Sequence, residues 1–242
     1  MTIRHGEAGS GDPVVLLHAG VCDSRMWQLP AVILAEHFRV IRVDLRGFGQ
    51  TPYEADGPYS DSGDVAEVLA ERGVTKARLV GASYGARVAL ELAARGYAEK
   101  LVLLNAGSDL PRSEDLKAFI AEENRLLELG ELQAAAELNA DVWLGPAASP
   151  GTRTRVVEMQ ARAFELQIGR DLEQVEMEVD LAAIDVPALV VTGAHDLLHF
   201  RKSGPYLAGQ LPQGRHVELD WAGHLPSIER PQEIISLLLD YL

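Results

Sequence analysis

The segment from Leu79 to Leu90 constrains the fold more than any other part of the chain. Its sequence, LVGASYGARVAL, joins an apolar run to a helical pattern through the five residues G-A-S-Y-G. So tight a turn from strand to helix strains the backbone of its central residue, Ser83. The residues two positions away must then be small, and Gly81 and Gly85 meet that requirement. The sequence therefore predicts a strand, a sharp turn and a helix, with the Ser83 hydroxyl at the tip of the turn.

The residues on both sides of this turn carry the expected patterns. The run Lys76–Gly81 is typical of a short buried strand, and Arg87–Arg95 places apolar residues at helical spacing before Gly96 gives a stop signal. A helix that begins directly after Ser83 points its free N–H groups and the positive end of its dipole at the serine. Because these groups would stabilise an oxyanion, Ser83 is a candidate nucleophile, and an idle serine in an ordinary glycine-rich turn is the alternative that the rest of a triad would decide.

A nucleophilic serine needs a histidine to accept its proton and an acid to orient that histidine. Asp196 follows the β-branched apolar run Ala188–Gly193, which is typical of a buried parallel strand, and so lies on a loop at the carboxyl end of that strand. His224 lies in another loop, after the short predicted strand His216–Leu219. The sequence therefore predicts Ser83, Asp196 and His224 as a catalytic triad in that chain order.

Four further segments match motifs of one family in the right order. They are Val14–Gly20, Asp44–Gly49, Gly193–Asp196 and Ala222–His224. Together with the G-x-S-x-G turn and the order serine, acid, histidine, these segments resemble the α/β-hydrolase family. The resemblance covers nearly the whole chain. The resemblance implies an α/β fold with a mostly parallel, doubly wound sheet flanked by helices, and a helical cap inserted before the last two strands. Because the chain starts shortly before Val14, the family's first antiparallel strand is expected to be missing.

The resemblance also implies how an oxyanion would be held. Two backbone N–H groups would donate to it, one from Tyr84 after the nucleophile and one from Gly20 on the early loop. Ala19 departs from the family pattern, which usually has glycine after the histidine. Asp44 is expected to hold backbone N–H groups of its turn rather than to take part in chemistry. The reaction would require no metal and no organic cofactor.

Other residues compete for the acid and base roles. Asp109 is the alternative acid, because some family members carry the carboxylate after the preceding strand, here predicted at residues 101–105. His195 and His199 flank the acid loop and could touch a substrate, but both precede the last predicted strand, whereas the family's base follows it. The sequence assigns three more histidines to the surface or to packing beneath a loop: His5, His37 and His18.

The strand signals stop between residues 109 and 182, where we predict a helical cap between two parts of the core, 1–108 and 183–242. From Asp109 to Asp180 the chain has sixteen acidic and seven basic residues. Glu123 falls on the apolar face of the first predicted helix, where an edge position is favoured over one that faces a pocket. Three amphipathic patterns indicate helices with these apolar residues: Leu116, Phe119 and Ile120; Ala135, Ala140 and Trp143; Val156, Met159 and Ala163.

A cap of this kind would cover the carboxyl ends of the strands, where ligands bind in open α/β sheets. We expect five residues of the cap and the early loop to line a substrate pocket: Cys22, Arg25, Met26, Trp27 and Trp143. Cys22 is more typical of packing than of catalysis. A surface ion pair is the default role of Arg25, and binding of a substrate carboxylate is the alternative.

Composition is that of an ordinary water-soluble enzyme. The chain of 242 residues is 47% hydrophobic, enough for one large core. It has no apolar run of transmembrane length, no leader-like N-terminal segment and a single cysteine, which together favour the cytoplasm. A net charge of −14 argues against a nucleic-acid partner. We expect a monomer or homodimer that acts on a small molecule and does not bind membranes.

These features predict a hydrolase of small carboxylic esters or lactones that works through an acyl-enzyme on Ser83. The compact size resembles the 3-oxoadipate enol-lactonase type, which would suit a small acidic lactone. Three alternatives stay open. A carbon–carbon bond hydrolase of ring-cleavage products uses the same triad, a ligand receptor on the same fold turns over slowly, and an acyl-enzyme can pass its acyl group to peroxide or another alcohol.

Overall fold

A seven-stranded sheet forms the centre of the protein in a computed structural model that describes residues 2–242. The strands in chain order are β1 (His5–Ala8), β2 (Pro13–Leu17), β3 (Arg39–Val43), β4 (Ala77–Ala82), β5 (Ala98–Leu104), β6 (Ala188–Gly193) and β7 (Gly214–Leu219). They lie side by side in the order β1-β3-β2-β4-β5-β6-β7. All neighbouring pairs are parallel except β1 with β3. This sheet confirms the predicted fold class.

Nine helices connect and cover the strands within residues 2–242. They are α1 (Gln28–Leu34), α2 (Asp61–Glu71), α3 (Tyr84–Ala94), α4 (Glu114–Glu128), α5 (Leu132–Trp143), α6 (Pro150–Gln167), α7 (Leu198–Gln210), α8 (Pro226–Glu229) and α9 (Pro231–Tyr241). The buried apolar residues form two clusters, one on each face of the sheet. Along β2, for example, Leu16 belongs to the cluster with α1 and α9, and Leu17 to the cluster with α2, α3 and α7. Both faces are covered, which explains why the central strands are apolar throughout.

The antiparallel strand β1 corrects one expectation from the sequence. His5 pairs with Val43 and Ala8 with Val40, so an antiparallel strand does precede β2. Its sequence, His-Gly-Glu-Ala, has no apolar run, because the strand lies at the edge of the sheet and is only half-buried or exposed. An edge strand of this kind gives almost no hydrophobic signal.

Helices α4, α5 and α6 occupy the segment between β5 and β6, where the strand signals stop. The predicted apolar faces are buried: Leu116 and Phe119 on α4, Ala135 and Ala140 on α5, and Val156 and Met159 on α6. These residues belong to the same cluster as residues of β2, β4 and β5, so the three helices pack on the carboxyl-end side of a shared core. The division of the chain at residues 108 and 183 stays a prediction.

In the part of the chain from residue 2 onward, no helix is both long and apolar enough to cross a membrane.

Candidate active site

Ser83 lies in a strained turn between β4 and α3. Its backbone has φ 50° and ψ −113°, in the region that non-glycine residues rarely adopt. The Ser83 N–H group donates to the carbonyl oxygen of Leu104 at 2.8 Å, which ties the turn to the end of the neighbouring strand β5. The strain is therefore held in place by the sheet itself.

The two glycines of the turn are required by close backbone contacts. A Cβ atom added to Gly81 would lie 2.3 Å from the carbonyl oxygen of Gly85. A Cβ atom added to Gly85 would lie 2.5 Å from the carbonyl oxygens of both Leu17 and His18. Only glycine fits at these two positions, and the absence of side chains lets α3 begin directly against the end of β2.

The structure brings Ser83, His224 and Asp196 into one chain of hydrogen bonds. His224 Nε2 lies 2.7 Å from Ser83 Oγ, and His224 Nδ1 lies 2.6 Å from Asp196 Oδ2. Because a carboxylate only accepts, Nδ1 carries the proton and donates it to Asp196, which leaves the Nε2 lone pair to accept from the serine hydroxyl. His224 is 1% exposed and Asp196 8%, so the two side chains interact away from bulk water. This arrangement can deprotonate Ser83 as it attacks.

Asp196 is held by a residue that the sequence did not single out. Asn105 Nδ2 donates to Asp196 Oδ2 at 2.6 Å and to the carbonyl oxygen of Gly223 at 3.2 Å. The N–H group of Leu197 donates to the other carboxylate oxygen at 2.6 Å. Asn105 directly follows β5 and has φ 50°, a conformation that asparagine tolerates better than most residues. The sequence feature that could have identified Asn105 is its position directly after β5, the apolar strand that pairs with β6.

The loop that carries His224 is held by Glu229, which the sequence also did not single out. Its carboxylate accepts from the N–H group of Gly223 at 3.0 Å and from that of Leu225 at 3.1 Å, one on each side of the histidine. Burial raises the pKa of Glu229, while the backbone donors oppose that rise. The His224 N–H group donates to the carbonyl oxygen of Trp143 at 2.8 Å. The histidine loop is therefore fixed by its own helix α8 and by the end of α5.

The two predicted oxyanion donors lie next to each other. A Cβ atom on Gly20 would lie 3.5 Å from the Cβ atom of Tyr84, so the two residues are in van der Waals contact beside the serine turn. Tyr84 is the first residue of α3, and its N–H group has no partner within the helix. The Tyr84 side chain is occupied elsewhere, since its hydroxyl donates to the carboxylate of Asp61. Only the backbone of Tyr84 is available to a bound oxyanion.

The early loop that carries Gly20 is anchored by His18 and Asp44, as expected. His18 Nε2 accepts from the N–H group of Leu45 at 3.0 Å, so Nδ1 carries the proton and donates to the carbonyl oxygen of Ala19 at 2.9 Å. Burial lowers the pKa of His18, which keeps the ring neutral in this role. Asp44 accepts from the N–H groups of Ser24 at 2.8 Å and Gln50 at 3.0 Å. These contacts fix the loop without using a side chain near the serine.

A cavity of about 680 Å³ lies between the early loop and helices α4, α5 and α6. Gly20 and Val21 line it on one side and Trp143 on another. The Trp143 ring centroid lies 4.4 Å from that of His224, so the cavity adjoins the triad. A cavity of this size fits a small organic molecule. Trp143 lies on the wall of this cavity, and its contact with a substrate stays a prediction.

The other four predicted pocket residues do not line this cavity, which corrects the expectation. Cys22, Met26 and Trp27 are at most 2% exposed and belong to the core cluster with α1. Burial raises the pKa of the Cys22 thiol, so it stays protonated and packs as an apolar group. Arg25 instead turns to the surface and binds the Asp23 carboxylate through Nε and Nη2. The reason is a short helical turn, Ser24–Trp27, that follows Asp23. It directs Met26 and Trp27 into the core and Arg25 to the surface.

The alternative acid and bases lie apart from the serine. Asp109 is exposed, and the carboxylate that is hydrogen-bonded to His224 is that of Asp196 instead. His195 is exposed, and His199 is buried against Phe200 and lines a separate hollow beside the start of α4.

Glu123, for which an edge position was favoured, lies on the wall of the cavity beside the triad. Within residues 2–242, no group of three or more His, Cys, Asp or Glu side chains is arranged to hold a metal ion.

Comparisons with known proteins agree with this architecture. The sequence pattern of the alpha/beta hydrolase family matches residues 14–237. A pimeloyl-acyl-carrier-protein methyl ester esterase of Aeromonas hydrophila is 28% identical over 98% of this chain and 98% of its own. The structure of a thermophilic esterase from Thermogutta terrifontis is 25% identical, with a TM-score of 0.77 over 99% of this chain and 92% of its own. The structure of an enol-lactonase from Burkholderia xenovorans LB400 is 24% identical and shares the fold. Its TM-score is 0.81 over 99% of this chain and 95% of its own.

The contacts of Gly85 lead to a stability prediction. The variant Gly85→Ala places a methyl group 2.5 Å from two carbonyl oxygens of the backbone, which cannot move without shifting β2. We expect a loss of about 3 kcal/mol or more in the free energy of unfolding, at the upper end of overpacking effects. Thermal unfolding should show a Tm lower by about 6–12 °C. Gly57→Ala is the control, because no atom lies within 4 Å of its added Cβ. Equal melting temperatures for the two variants would contradict the tight packing of the turn.

Proposed function

The chain belongs to the alpha/beta hydrolase family, and on that premise we propose that it hydrolyses small carboxylic esters or lactones through an acyl-enzyme on Ser83. The observation that carries the proposal is the unbroken hydrogen-bond chain from Asp196 through His224 to Ser83, beside a cavity that adjoins His224. Two esterases among the similar proteins support ester substrates.

In the first half of the reaction, Ser83 Oγ attacks the carbonyl carbon of the substrate while His224 Nε2 accepts the hydroxyl proton. The carbonyl oxygen becomes an oxyanion, which accepts hydrogen bonds from the backbone N–H groups of Tyr84 and Gly20 and lies at the positive end of α3. His224 then donates its Nε2 proton to the leaving alkoxide oxygen. The carbon–oxygen bond breaks, and the acyl group remains on Ser83 as an ester.

In the second half, water takes the place of the alcohol. His224 Nε2 accepts one proton as the water oxygen attacks the acyl carbon, and returns it to Ser83 Oγ as the acid leaves. Asp196 remains a carboxylate throughout, since it holds the Nδ1 proton of His224 and stabilises the imidazolium by its charge. Asn105 and the Leu197 N–H group keep this carboxylate in place through their hydrogen bonds.

The proposal is tested first by removing the nucleophile. We expect Ser83→Ala to lower kcat/KM for p-nitrophenyl acetate, butyrate and octanoate by roughly 10⁴-fold or more, since losing a triad nucleophile leaves only binding and the oxyanion donors. The initial rate of p-nitrophenol release near neutral pH is the measurement. Ser10→Ala, at an exposed position far along the chain from the turn, is the control and should keep the wild-type rate. A Ser83→Ala enzyme within tenfold of wild type would overturn the proposal.

Asn105 provides a second test, because its side chain can be removed without straining the backbone. Glycine adopts φ 50° freely, so Asn105→Gly removes the side-chain donor to Asp196 and to the Gly223 carbonyl oxygen while the backbone keeps its conformation. A hydrogen bond to a charged group contributes about 1.5–3 kcal/mol, so we expect kcat to fall by about 10–100-fold while KM changes little. Steady-state kinetics with p-nitrophenyl butyrate gives both constants. Unchanged kcat would show that Asp196 needs no support from Asn105.

A further inference from the structure

The cavity beside the triad has hydrogen-bond acceptors on its wall that the described part of the chain does not fully satisfy. Glu123 of α4 and Gln160 of α6 both line it. Gln160 is 5% exposed, and its Oε1 atom has no hydrogen-bond partner within residues 2–242. A buried polar atom without a partner is costly, unless a bound molecule supplies the donor.

Glu123 is the second acceptor, and its orientation is fixed by neutral groups. Asn139 Nδ2 donates to Glu123 Oε1 at 2.6 Å, and Asn139 is itself held because the Trp143 Nε1–H group donates to its Oδ1 at 2.9 Å. Trp143 is also the residue that stacks on His224. The Glu123 carboxylate is therefore connected through two side chains to the catalytic histidine, and points to the same cavity.

No cation within residues 2–242 neutralises this carboxylate. Among the residues that the structure describes, Glu123 forms no ion pair, and no Lys, Arg or His side chain lines the cavity. Burial raises the pKa of Glu123, and the Asn139 hydrogen bond opposes that rise. An ionised carboxylate in this position is costly until a positive charge lies beside it.

The remaining wall suits the alkyl part of a cationic group. Phe119, Trp143 and Phe164 line the cavity and offer aromatic rings. Ring faces attract ammonium groups, and the rings also bury methylene carbons. The same wall repels carboxylates, because its two charged side chains, the half-buried Glu123 and the exposed Glu128, are both acidic. The cavity therefore differs from one built for a small acidic lactone.

We propose that the cavity selects esters or lactones whose acyl chain carries a protonated amine, which pairs with Glu123 and donates to Gln160 Oε1. This inference rests on the proposed ester hydrolysis and names its substrate class. The amine would bind between α4 and α6, with the alkyl chain along the aromatic rings and the ester carbonyl between Gly20 and Ser83.

The test compares methyl esters that differ only at the far end of the acyl chain. Methyl 6-aminohexanoate carries the cation, methyl heptanoate is its neutral counterpart, monomethyl adipate carries an anion, and methyl 6-hydroxyhexanoate is a neutral donor. Acid release is followed by pH-stat titration at neutral pH. We expect kcat/KM for the amino ester to exceed that for the adipate ester at least tenfold. If kcat/KM for the hydroxy ester or for the adipate ester equals that for the amino ester, the proposal is overturned.

Two variants assign the preference to the carboxylate. Glu123→Gln keeps an oxygen to accept from Asn139 but removes the charge, and should lower kcat/KM for the amino ester at least tenfold while methyl heptanoate changes less than threefold. Glu122→Gln removes the same charge from the neighbouring position on α4, where Glu122 pairs with Arg125 outside the cavity, and should keep the wild-type preference. Equal effects of the two variants would overturn the role of Glu123.

A binding measurement separates failure of this inference from failure of the proposed function. Isothermal titration calorimetry with n-hexylammonium and with hexanoate needs no turnover and is performed on wild type, Glu123→Gln and Ser83→Ala. We expect the ammonium to bind wild type and Ser83→Ala at least tenfold tighter than hexanoate, and Glu123→Gln to lose this difference. If the ammonium binds in this way but no ester is hydrolysed, the ester proposal fails and the amine site stands. If esters are hydrolysed through Ser83 but ammonium and hexanoate bind alike, the amine site fails alone.

Discussion

The backbone of Ser83 is held at φ 50° by contacts that leave it no alternative, and the rest of the site is arranged around that turn. A strained residue of this kind costs about 1–3 kcal/mol and persists only where its surroundings fix it. Here the hydrogen bond from the Ser83 N–H group to Leu104 and the close approach of Gly85 to β2 provide that constraint. The turn then projects the serine oxygen at the carboxyl edge of the sheet, where the loops after β6 and β7 bring Asp196 and His224 within hydrogen-bond reach.

Ser83, Asp196 and His224, which the structure places within hydrogen-bond distance, could be picked out from the sequence because each has a local signal. Glycines at fixed spacing mark the turn, and apolar runs mark the strands whose ends carry the other two residues. Asn105 and Glu229 belong to no motif of this kind. The role of Asn105 depends on Asp196, which lies far along the chain, and that of Glu229 depends on how the loop around His224 folds back onto α8. Their roles follow only from the packed structure.

The pocket was predicted less well, for a similar reason. Whether Cys22, Met26 and Trp27 face a ligand or the core depends on how the loop turns after Asp23, and the turn directs them into the core. Glu123 shows the opposite case, because a carboxyl group near an apolar helix face is usually placed at its edge, yet here it reaches the cavity. The edge strand β1 was missed because His-Gly-Glu-Ala contains no apolar run. Periodicity alone cannot decide such positions, which are set by helix crossings and loop geometry.

If Ser83 is the nucleophile, it becomes covalently acylated during turnover, and mass spectrometry of the quenched enzyme detects that acyl group. The enzyme is mixed with p-nitrophenyl acetate, stopped with acid during turnover and digested with trypsin. Cleavage after Arg78 and Arg87 releases the peptide LVGASYGAR, in which Ser83 is the only serine. We expect this peptide to gain the mass of one acetyl group, with fragment ions that place the group on Ser83. Turnover of the ester with the acetyl group absent from this peptide, or present on another residue, would rule out Ser83 as the nucleophile.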